Sequence, residues 1–371
     1  MRLAPAATPH ELRLRPDKIG SVCSPFGLRP YLSVSPEPVA AEGVAVVGRV
    51  RSVAHSYDQI ELPSGRTALL VPGDIVVGVL GSRAALRGFC GRVPETLRRG
   101  DTLYLLNKGG VVGSSAGATV GLGTPTELEI IGTPMRAGEP LRLGDYALAQ
   151  ASTLPESLPP VLLVAATCMH AGKTTAAGVI VHHLVGRGHR VHAGKATGVA
   201  ALSDLLSLAD NGAAATVSFL DAGLPSTCHR DDVPEVTRTI LSELAAEAPD
   251  VIVVELGDGL LGSYGVEAIL EDASLTAHFS GAVVAANDII GGYAVGQHLE
   301  ARGVPVCAIT GPATDNDAGR QKLAELGFCA ANVYQQPAEL CAAVRKTLDL
   351  DRRPLRSAAE VAQADQDAED A

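Results

Sequence analysis

The 371-residue sequence contains no tryptophan, and aromatic residues make up only 3% of it. Proteins that bind single-stranded nucleic acid usually stack bases on aromatic side chains, so that class of function is disfavoured. The net charge of −11 leaves no overall basic surface to neutralise the phosphates of a duplex. The composition therefore predicts that no nucleic acid is a partner.

The sequence also lacks an apolar run of 18 residues, so no membrane-spanning helix and no membrane partner are predicted. Its N-terminal segment has no apolar core of the kind found in signal peptides. The seven cysteines are dispersed and form no Cys-x-x-Cys pair, which is typical of reduced thiols. These absences together predict a cytoplasmic protein.

Hydrophobic residues make up 46% of the chain and charged residues 19%, which is enough for a sizeable core and excludes global disorder. The length predicts two domains. The pattern along the chain predicts five segments: an N-terminal extension (1–40), a β-rich domain (41–135), a linker (136–158), a domain of alternating strands and helices (159–348), to which the phosphate-loop motif described below belongs, and an acidic disordered tail (349–371).

Short apolar runs separated by Gly, Pro and Asp turns predict a small, mainly-β domain in the first half of the chain. The glycine-rich stretch 109–117 precedes no helical pattern. We therefore expect it to be a flexible loop that extends towards the active site, with Asn107 and Lys108 at its start as candidate substrate contacts.

From residue 161 onward, near-continuous apolar strands alternate with helical stretches. This alternation predicts an α/β domain, with a parallel sheet covered by helices on both faces. In such sheets ligands bind at the carboxyl ends of the strands.

The segment 161–175 carries the strongest functional signal, because an apolar strand, a short loop, Gly-Lys-Thr-Thr and a helix follow one another. This is the context of a phosphate-binding loop. Lys173 is expected to contact the β- and γ-phosphates, and Thr174 to coordinate Mg²⁺. The standard spacing requires Gly at position 167, where this chain has Thr, so the strict motif is not met.

Further candidates follow the predicted strands. Lys195 stands out because only six of the 30 Lys and Arg residues are lysines, and Glu255 ends an apolar strand. Asn287 is a candidate contact to the nucleotide base, and no Asn-Lys-x-Asp motif for guanine is present, which favours ATP while leaving GTP possible. The predicted cofactor-binding residues are Thr167, Cys168, Met169, His170, Ala171, Gly172, Lys173, Thr174, Thr175 and Asn287.

The segment Ala-Thr-Cys-Met-His-Ala-Gly-Lys-Thr (166–174) resembles the dethiobiotin synthetase loop Gly-Thr-Asp-Thr-x-Val-Gly-Lys-Thr. Ala166 and Cys168 replace the family's Gly and Asp. HRVHAGKATG (189–198) resembles the family's Lys-Pro-Val-x-x-Gly block, and PDVIVVELGDG (249–259) resembles its Val-Glu-Gly-Ala-Gly-Gly block. The resemblance implies that Lys173, Lys195 and Glu255 are catalytic.

Segments 219–223 and 255–260 resemble a related P-loop family that includes a D-glutamate N-acetyltransferase. The resemblances cover about residues 159–330. For the metal they leave Thr174, Glu255 and Asp221 as predicted ligands, with Asp210 and Asp258 as alternative carboxylates. They also imply a homodimer.

The predicted function is that of an ATP- and Mg²⁺-dependent ligase or kinase. It would phosphorylate a carboxylate or carbamate of a small, amino-acid-like metabolite for attack by a nitrogen nucleophile. Two alternatives stay open at this point. One is an N-acyltransferase that holds the phosphates of acyl-CoA in the loop, and the other is a nucleotide-dependent switch or metallochaperone.

Overall fold

The structure is a computed structural model that describes residues 11–55 and 57–352. Residues 1–10 of the predicted N-terminal extension and residues 353–371 of the predicted acidic tail lie outside the described residues. The described chain divides between an antiparallel β-rich part and a parallel α/β part, which confirms the predicted fold class.

The strands of the described residues, in chain order, are β1 (Leu12–Leu14), β2 (Lys18–Ile19), β3 (Leu32–Ser35), β4 (Ala45–Ser52), β5 (Gln59–Glu61), β6 (Thr67–Leu69), β7 (Ile75–Leu80), β8 (Arg83–Ala84), β9 (Phe89–Arg92), β10 (Thr102–Leu105), β11 (Val111–Ala118), β12 (Glu127–Arg136), β13 (Glu139–Pro140), β14 (Val161–Ala166), β15 (Val191–Thr197), β16 (Ala215–Ser218), β17 (Val251–Leu256), β18 (Phe279–Ala285) and β19 (Val306–Thr310). The α-helices are α1 (Lys173–Gly186), α2 (Ser203–Asp210), α3 (Val233–Ala245), α4 (Val266–Glu271), α5 (Ala273–Thr276), α6 (Ile289–Glu300), α7 (Asp317–Glu325) and α8 (Pro337–Thr347). Short 3-10 turns cover Ser21–Phe26, Leu143–Tyr146, Pro312–Thr314 and Leu350–Arg352.

The β-rich part is built on a sheet whose main path runs β1-β3-β12-β4-β7-β11-β9-β8. Most neighbours are antiparallel, and β7 pairs in parallel with both β2 and β11. Strands β1 to β3 precede residue 41, so much of the predicted extension pairs with this sheet.

The glycine-rich stretch is a strand from Val111 onward, so the expectation of a flexible loop is wrong. Its backbone hydrogen bonds are taken up by β7, β9 and β10. Gly109, just before this strand, lies so close to the α/β part that an added Cβ would stand 2.0 Å from the carbonyl oxygen of Ala200. Glycine is therefore required there by the close approach of the two parts.

The α/β part contains a six-stranded parallel sheet of order β16-β15-β17-β14-β18-β19 within the described residues. Its inner strands β14, β17 and β18 are completely buried or nearly so, as expected of a sheet that is covered on both faces. Successive side chains of β14 point to opposite faces: Leu162 packs with the core of α1, α2 and α8, and Leu163 with the core of α3 to α7.

The second of these two cores continues into the β-rich part, where Val47, Val77 and Val79 belong to the same cluster. The two parts thus share one apolar core. No helix of the described residues is long and apolar enough to cross a membrane.

Candidate functional site

The loop between β14 and α1 has the backbone geometry of an anion-binding site. His170 and Gly172 both adopt positive φ angles, 63° and 103°, so successive N–H groups turn towards one concave surface. The first N–H groups of α1 add to this surface, because they have no carbonyl partner within the helix. A histidine in the left-handed region is unusual and is typical of functional loops.

Lys173 begins α1 with its side chain folded back over the loop. Its Nζ donates hydrogen bonds to the carbonyl oxygens of Cys168 (3.2 Å) and Asp258 (2.5 Å). Burial lowers the pKa of this ammonium, and the nearby Glu255 charge opposes that shift. The side chain is 6% exposed, so an anion that enters the loop would meet a positive charge with little hydration.

Thr174 and Glu255 form the side of the site that suits a divalent cation. The Thr174 hydroxyl donates to Glu255 Oε2 at 2.8 Å, and the Glu255 side chain at the end of β17 is 3% exposed. A hydroxyl and a carboxylate oxygen beside a phosphate loop are the ligand types that Mg²⁺ takes in nucleotide sites. The donor set therefore fits the ion.

The sequence pattern predicted that Lys195 follows a strand. In the structure it lies within β15. Its ammonium forms an ion pair with Asp204 of α2 and stands 3.8 Å from Glu255 Oε1. Burial alone would lower the pKa of Lys195, but the charges of Asp204 and Glu255 raise it above its ordinary value. Lys195 is thus held protonated beside the proposed cation ligands.

Asp258 follows β17 and joins three parts of the site. Its carbonyl oxygen accepts from Lys173, while its carboxylate accepts from the N–H groups of Met169 (3.3 Å) and Leu86 (3.4 Å). Its φ angle of 63° is in the left-handed region. Asp258 therefore ties the phosphate loop to the β-rich part.

These groups open into one cavity of about 530 Å³ between the two parts of the molecule. Six residues of the predicted loop line it: Met169, His170, Gly172, Lys173, Thr174 and Thr175. From the β-rich part, the lining residues are Tyr57, Arg83, Ala85, Asn107 and Lys108.

Two polar side chains of the β-rich part fix the wall of this cavity. Glu61, completely buried, accepts hydrogen bonds from the N–H groups of Leu202 (2.5 Å) and Ser203 (3.1 Å) at the start of α2. Asn107 donates to the carbonyl oxygen of Ala200 at 2.7 Å. The helix that carries Asp204 is therefore anchored to the β-rich part.

Other predicted residues stand outside the cavity lining. Thr167, Cys168 and Ala171 belong to the loop but do not line the cavity. Asn287 donates from its side-chain amide to Cys168 Sγ at 2.9 Å, so it contacts the loop without lining the cavity. Its neighbour Asp288 caps α6 by accepting from the N–H group of Gly291.

Two of the predicted carboxylates are also placed elsewhere. Asp221 accepts from the N–H group of Ser218 at 2.7 Å, which closes a local turn after β16. Asp210 ends α2 and does not line the cavity. In the described part of the chain, no group of three or more His, Cys, Asp or Glu side chains is placed to hold a metal ion without other ligands.

The sequence interpretation did not identify Asp204, Glu61 or Arg83. Asp204 and Glu61 are recognisable only through partners 9 and 141 positions away. Arg83 is one of 24 arginines, and its sequence neighbours do not distinguish it.

No family model and no curated protein matches the chain. Among solved structures, it is similar to a signal recognition particle 54 kDa protein from Aeropyrum pernix in complex with GDP (17% identity, 53% of this chain, 48% of that chain, TM-score 0.36). It is also similar to the signal recognition particle receptor FtsY from Elizabethkingia anophelis (14%, 54% and 70%, TM-score 0.36) and to a DUF1611-family protein from Anabaena variabilis (15%, 58% and 65%, TM-score 0.36).

The chain thus spans about half the length of the first of these structures, 48%. These TM-scores are too low to carry an argument about function, and the neighbours do not single out the dethiobiotin synthetase branch. The P-loop NTPase fold is apparent in the molecule itself: a parallel sheet, with the loop and Lys173 between its strand β14 and helix α1.

Proposed function

We propose that this protein is an enzyme that binds a nucleoside triphosphate, in the first instance ATP, with Mg²⁺ and transfers its γ-phosphoryl group to a small carboxylic acid or carbamate. The observation that carries the proposal is the convergence of the 167–175 loop, Lys173 and the Thr174–Glu255 pair on one cavity. GTP remains the alternative nucleotide.

The loop and its lysine support the phosphate part of the proposal. Lys173 now donates to two carbonyl oxygens and could donate to phosphate oxygens instead. A phosphate would replace these neutral acceptors with charged ones, and hydrogen bonds between charged groups are the stronger ones. The buried ammonium would then stabilise the charge that develops during transfer.

The Thr174 hydroxyl and Glu255 would hold the Mg²⁺ ion, directly or through water. When bound, the ion supplies charge neutralisation on the phosphate chain. Lys195, kept protonated by two carboxylates, would contact either the transferring group or the acceptor carboxylate. A Lewis acid and two ammonium groups around the reacting phosphate favour phosphoryl transfer over simple binding.

The wall supplied by the β-rich part favours a small-molecule acceptor. It encloses the phosphate loop in a cavity of about 530 Å³, within the range of small-ligand sites. In the proposed reaction a carboxylate oxygen of the acceptor attacks the γ-phosphorus and the nucleoside diphosphate leaves. An amine or ammonia then attacks the acyl phosphate and inorganic phosphate is released, as in dethiobiotin synthetase-like ligation. A kinase would stop after the first step.

Calorimetry with ATP, GTP and acetyl-CoA, each with Mg²⁺, tests this proposal. In the variant Lys173→Ala the affinity for ATP should fall roughly 10- to 150-fold, because a charged hydrogen bond contributes about 1.5–3 kcal/mol. Lys322→Ala, in an exposed ion pair on α7, is the matched control and should bind as the parent does.

The other outcomes lead to different functions. Binding of acetyl-CoA without ATP would overturn the proposal in favour of the N-acyltransferase. The switch or metallochaperone would be favoured by a different result. In that case GTP binds tightly and is hydrolysed slowly, and adding carboxylic acids and ammonia does not stimulate release of the nucleoside diphosphate. A homodimer and a cytoplasmic location remain predictions; light scattering of the purified protein tests the first.

A further inference from the structure

Arg83 is a buried cation without an anionic partner. The residue is 6% exposed, and it lines the same cavity as the phosphate loop. Its described hydrogen bond is donated to a neutral acceptor, the carbonyl oxygen of Leu106. Among the residues that the structure describes, no carboxylate lies within 4.0 Å of it.

Of the other buried or partly buried basic groups near the contact of the two parts, Lys173 also donates only to carbonyl oxygens, at the proposed phosphate site, whereas two others have carboxylate partners. Lys195 pairs with Asp204 and stands near Glu255. Arg230 pairs with Asp232 and with Glu42. A buried charge without a counter-charge is costly, so an unpaired guanidinium that faces a cavity indicates a site for an anion.

The surroundings hold Arg83 in a fixed position. The next residue, Ala84, donates its N–H to the hydroxyl of Tyr264 (3.1 Å), and Leu86 donates to Asp258. The ring of Tyr57 lies 5.9 Å from the guanidinium carbon, and Tyr57 has a φ angle of 88°. A backbone this unusual for an aromatic residue is typical of a constrained ligand-binding wall.

We propose that Arg83 binds a carboxylate of the substrate that is not the group undergoing phosphorylation. The substrate is then a dicarboxylic acid or an amino acid with an acidic side chain. A planar guanidinium matches the two oxygens of a carboxylate, which a lysine ammonium does not. Lys108, half exposed at the same wall, stands 3.9 Å from the carboxylate of Glu61, so its charge is already paired and Arg83 carries the proposal.

This inference rests on the proposed function in one respect: the nucleotide is taken to bind at the end of the cavity formed by the phosphate loop. The carboxylate site itself can be tested without nucleotide. A failure of either idea is therefore visible separately: nucleotide binding depends on Lys173, and carboxylate binding on Arg83.

The test uses succinate, glutarate, aspartate and glutamate as probes, each beside its monoamide, with calorimetry and thermal unfolding of the purified protein. We expect at least one diacid to bind the parent protein more tightly than its monoamide. Arg83→Met should weaken that binding roughly tenfold or more, and Arg83→Lys should restore part of it. Arg92→Met, exposed on the neighbouring strand β9, should bind as the parent does.

Thermal unfolding separates a binding role from a structural one. Because Arg83 has no counter-charge, unliganded Arg83→Met should unfold at the parent's temperature or above it, while the stabilisation by the diacid is lost. The proposal is overturned if no diacid in the panel binds the parent in preference to its amide, or if Arg83→Met binds undiminished. It is also overturned if the unliganded variant is strongly destabilised and Arg83→Lys restores stability but no diacid preference.

Discussion

The buried cations that line the cavity differ in their partners. On the parallel-sheet wall, Lys195 lies between two carboxylates, and Lys173 donates to two backbone carbonyl groups. On the β-rich wall, Arg83 is just as buried but has only a carbonyl oxygen to bind. Lys195 is therefore paired within the protein, whereas Lys173 and Arg83 have only carbonyl oxygens as acceptors and need an anion from outside.

This contrast distinguishes a cation that is preorganised by the protein, Lys195, from cations that a ligand must complete. Charges that are fixed by protein partners keep their position and protonation state whether or not substrate is present. A guanidinium without a partner stabilises the protein only when a ligand supplies the negative charge. The predictions below alter one wall while leaving the other unchanged.

The largest expected effect on stability comes from breaking the paired side at Lys195. Replacement by Met leaves Asp204 and the buried Glu255 without their common counter-charge, so the free energy of unfolding should fall by about 3–5 kcal/mol. Urea denaturation measures this loss. The exposed pair Lys322–Glu325 provides the control, because Lys322→Met should change stability by less than about 1 kcal/mol. If Lys195→Met and Lys322→Met lowered the free energy of unfolding equally, Lys195 would not be the counter-charge that the two buried carboxylates require.

A smaller loss is expected at the junction of the two walls. Glu61→Ala removes the buried carboxylate that accepts from Leu202 and Ser203, so the free energy of unfolding should fall by about 1.5–3 kcal/mol. Hydrogen exchange should also speed up in α2. Glu95→Ala, at an exposed position of the β-rich part, is the control. Unchanged exchange in α2 would show that Glu61 does not anchor this helix.

The smallest effect is a pH dependence of the Lys195–Asp204 pair. Burial raises the pKa of Asp204, but the charge of Lys195 outweighs it and lowers the pKa below the ordinary 3.8. Asp204 therefore makes its full contribution to the free energy of unfolding above pH 3.8. This contribution is lost as the pH falls through the lower pKa of the folded state. Lys195, whose pKa is raised above 10.5, contributes fully below that value and loses its contribution as the pH rises through the higher folded-state pKa.

Urea denaturation of Asp204→Asn across the pH range checks this behaviour. The loss of stability relative to the parent should be constant from about pH 5 to pH 9 and should shrink at either extreme. If the stability difference between Asp204→Asn and the parent changed between pH 5 and pH 9, a different titrating group would determine the strength of the Lys195–Asp204 ion pair.

The sequence predicted the parts of the site that are local in the chain. Strand, loop, Gly-Lys-Thr and helix follow one another, so Lys173, Thr174 and their loop could be found by inspection. Glu255 was also accessible, because parallel strands bring their carboxyl ends to one edge of the sheet.

The parts that were missed depend on contacts between distant segments. Glu61 accepts from the N–H group of Leu202, which is 141 positions away in the sequence. Gly109 and Ala200, which approach each other closely, belong to the same contact between the β-rich and α/β parts. The glycine-rich stretch was taken for a loop because its pairing with β7 and β9 is non-local. The absence of a counter-charge at Arg83 is a property of the folded wall, and no sequence pattern records it.

The most direct test of the division between the two walls is a double-mutant cycle on Lys173→Ala and Arg83→Met, with ATP·Mg²⁺ and the best diacid as separate ligands. We predict that Lys173→Ala weakens ATP binding and spares the diacid, that Arg83→Met does the reverse, and that the double variant shows both losses. If either single substitution weakened both ligands equally, the cavity would not be divided in this way, and the account of its two walls would be wrong.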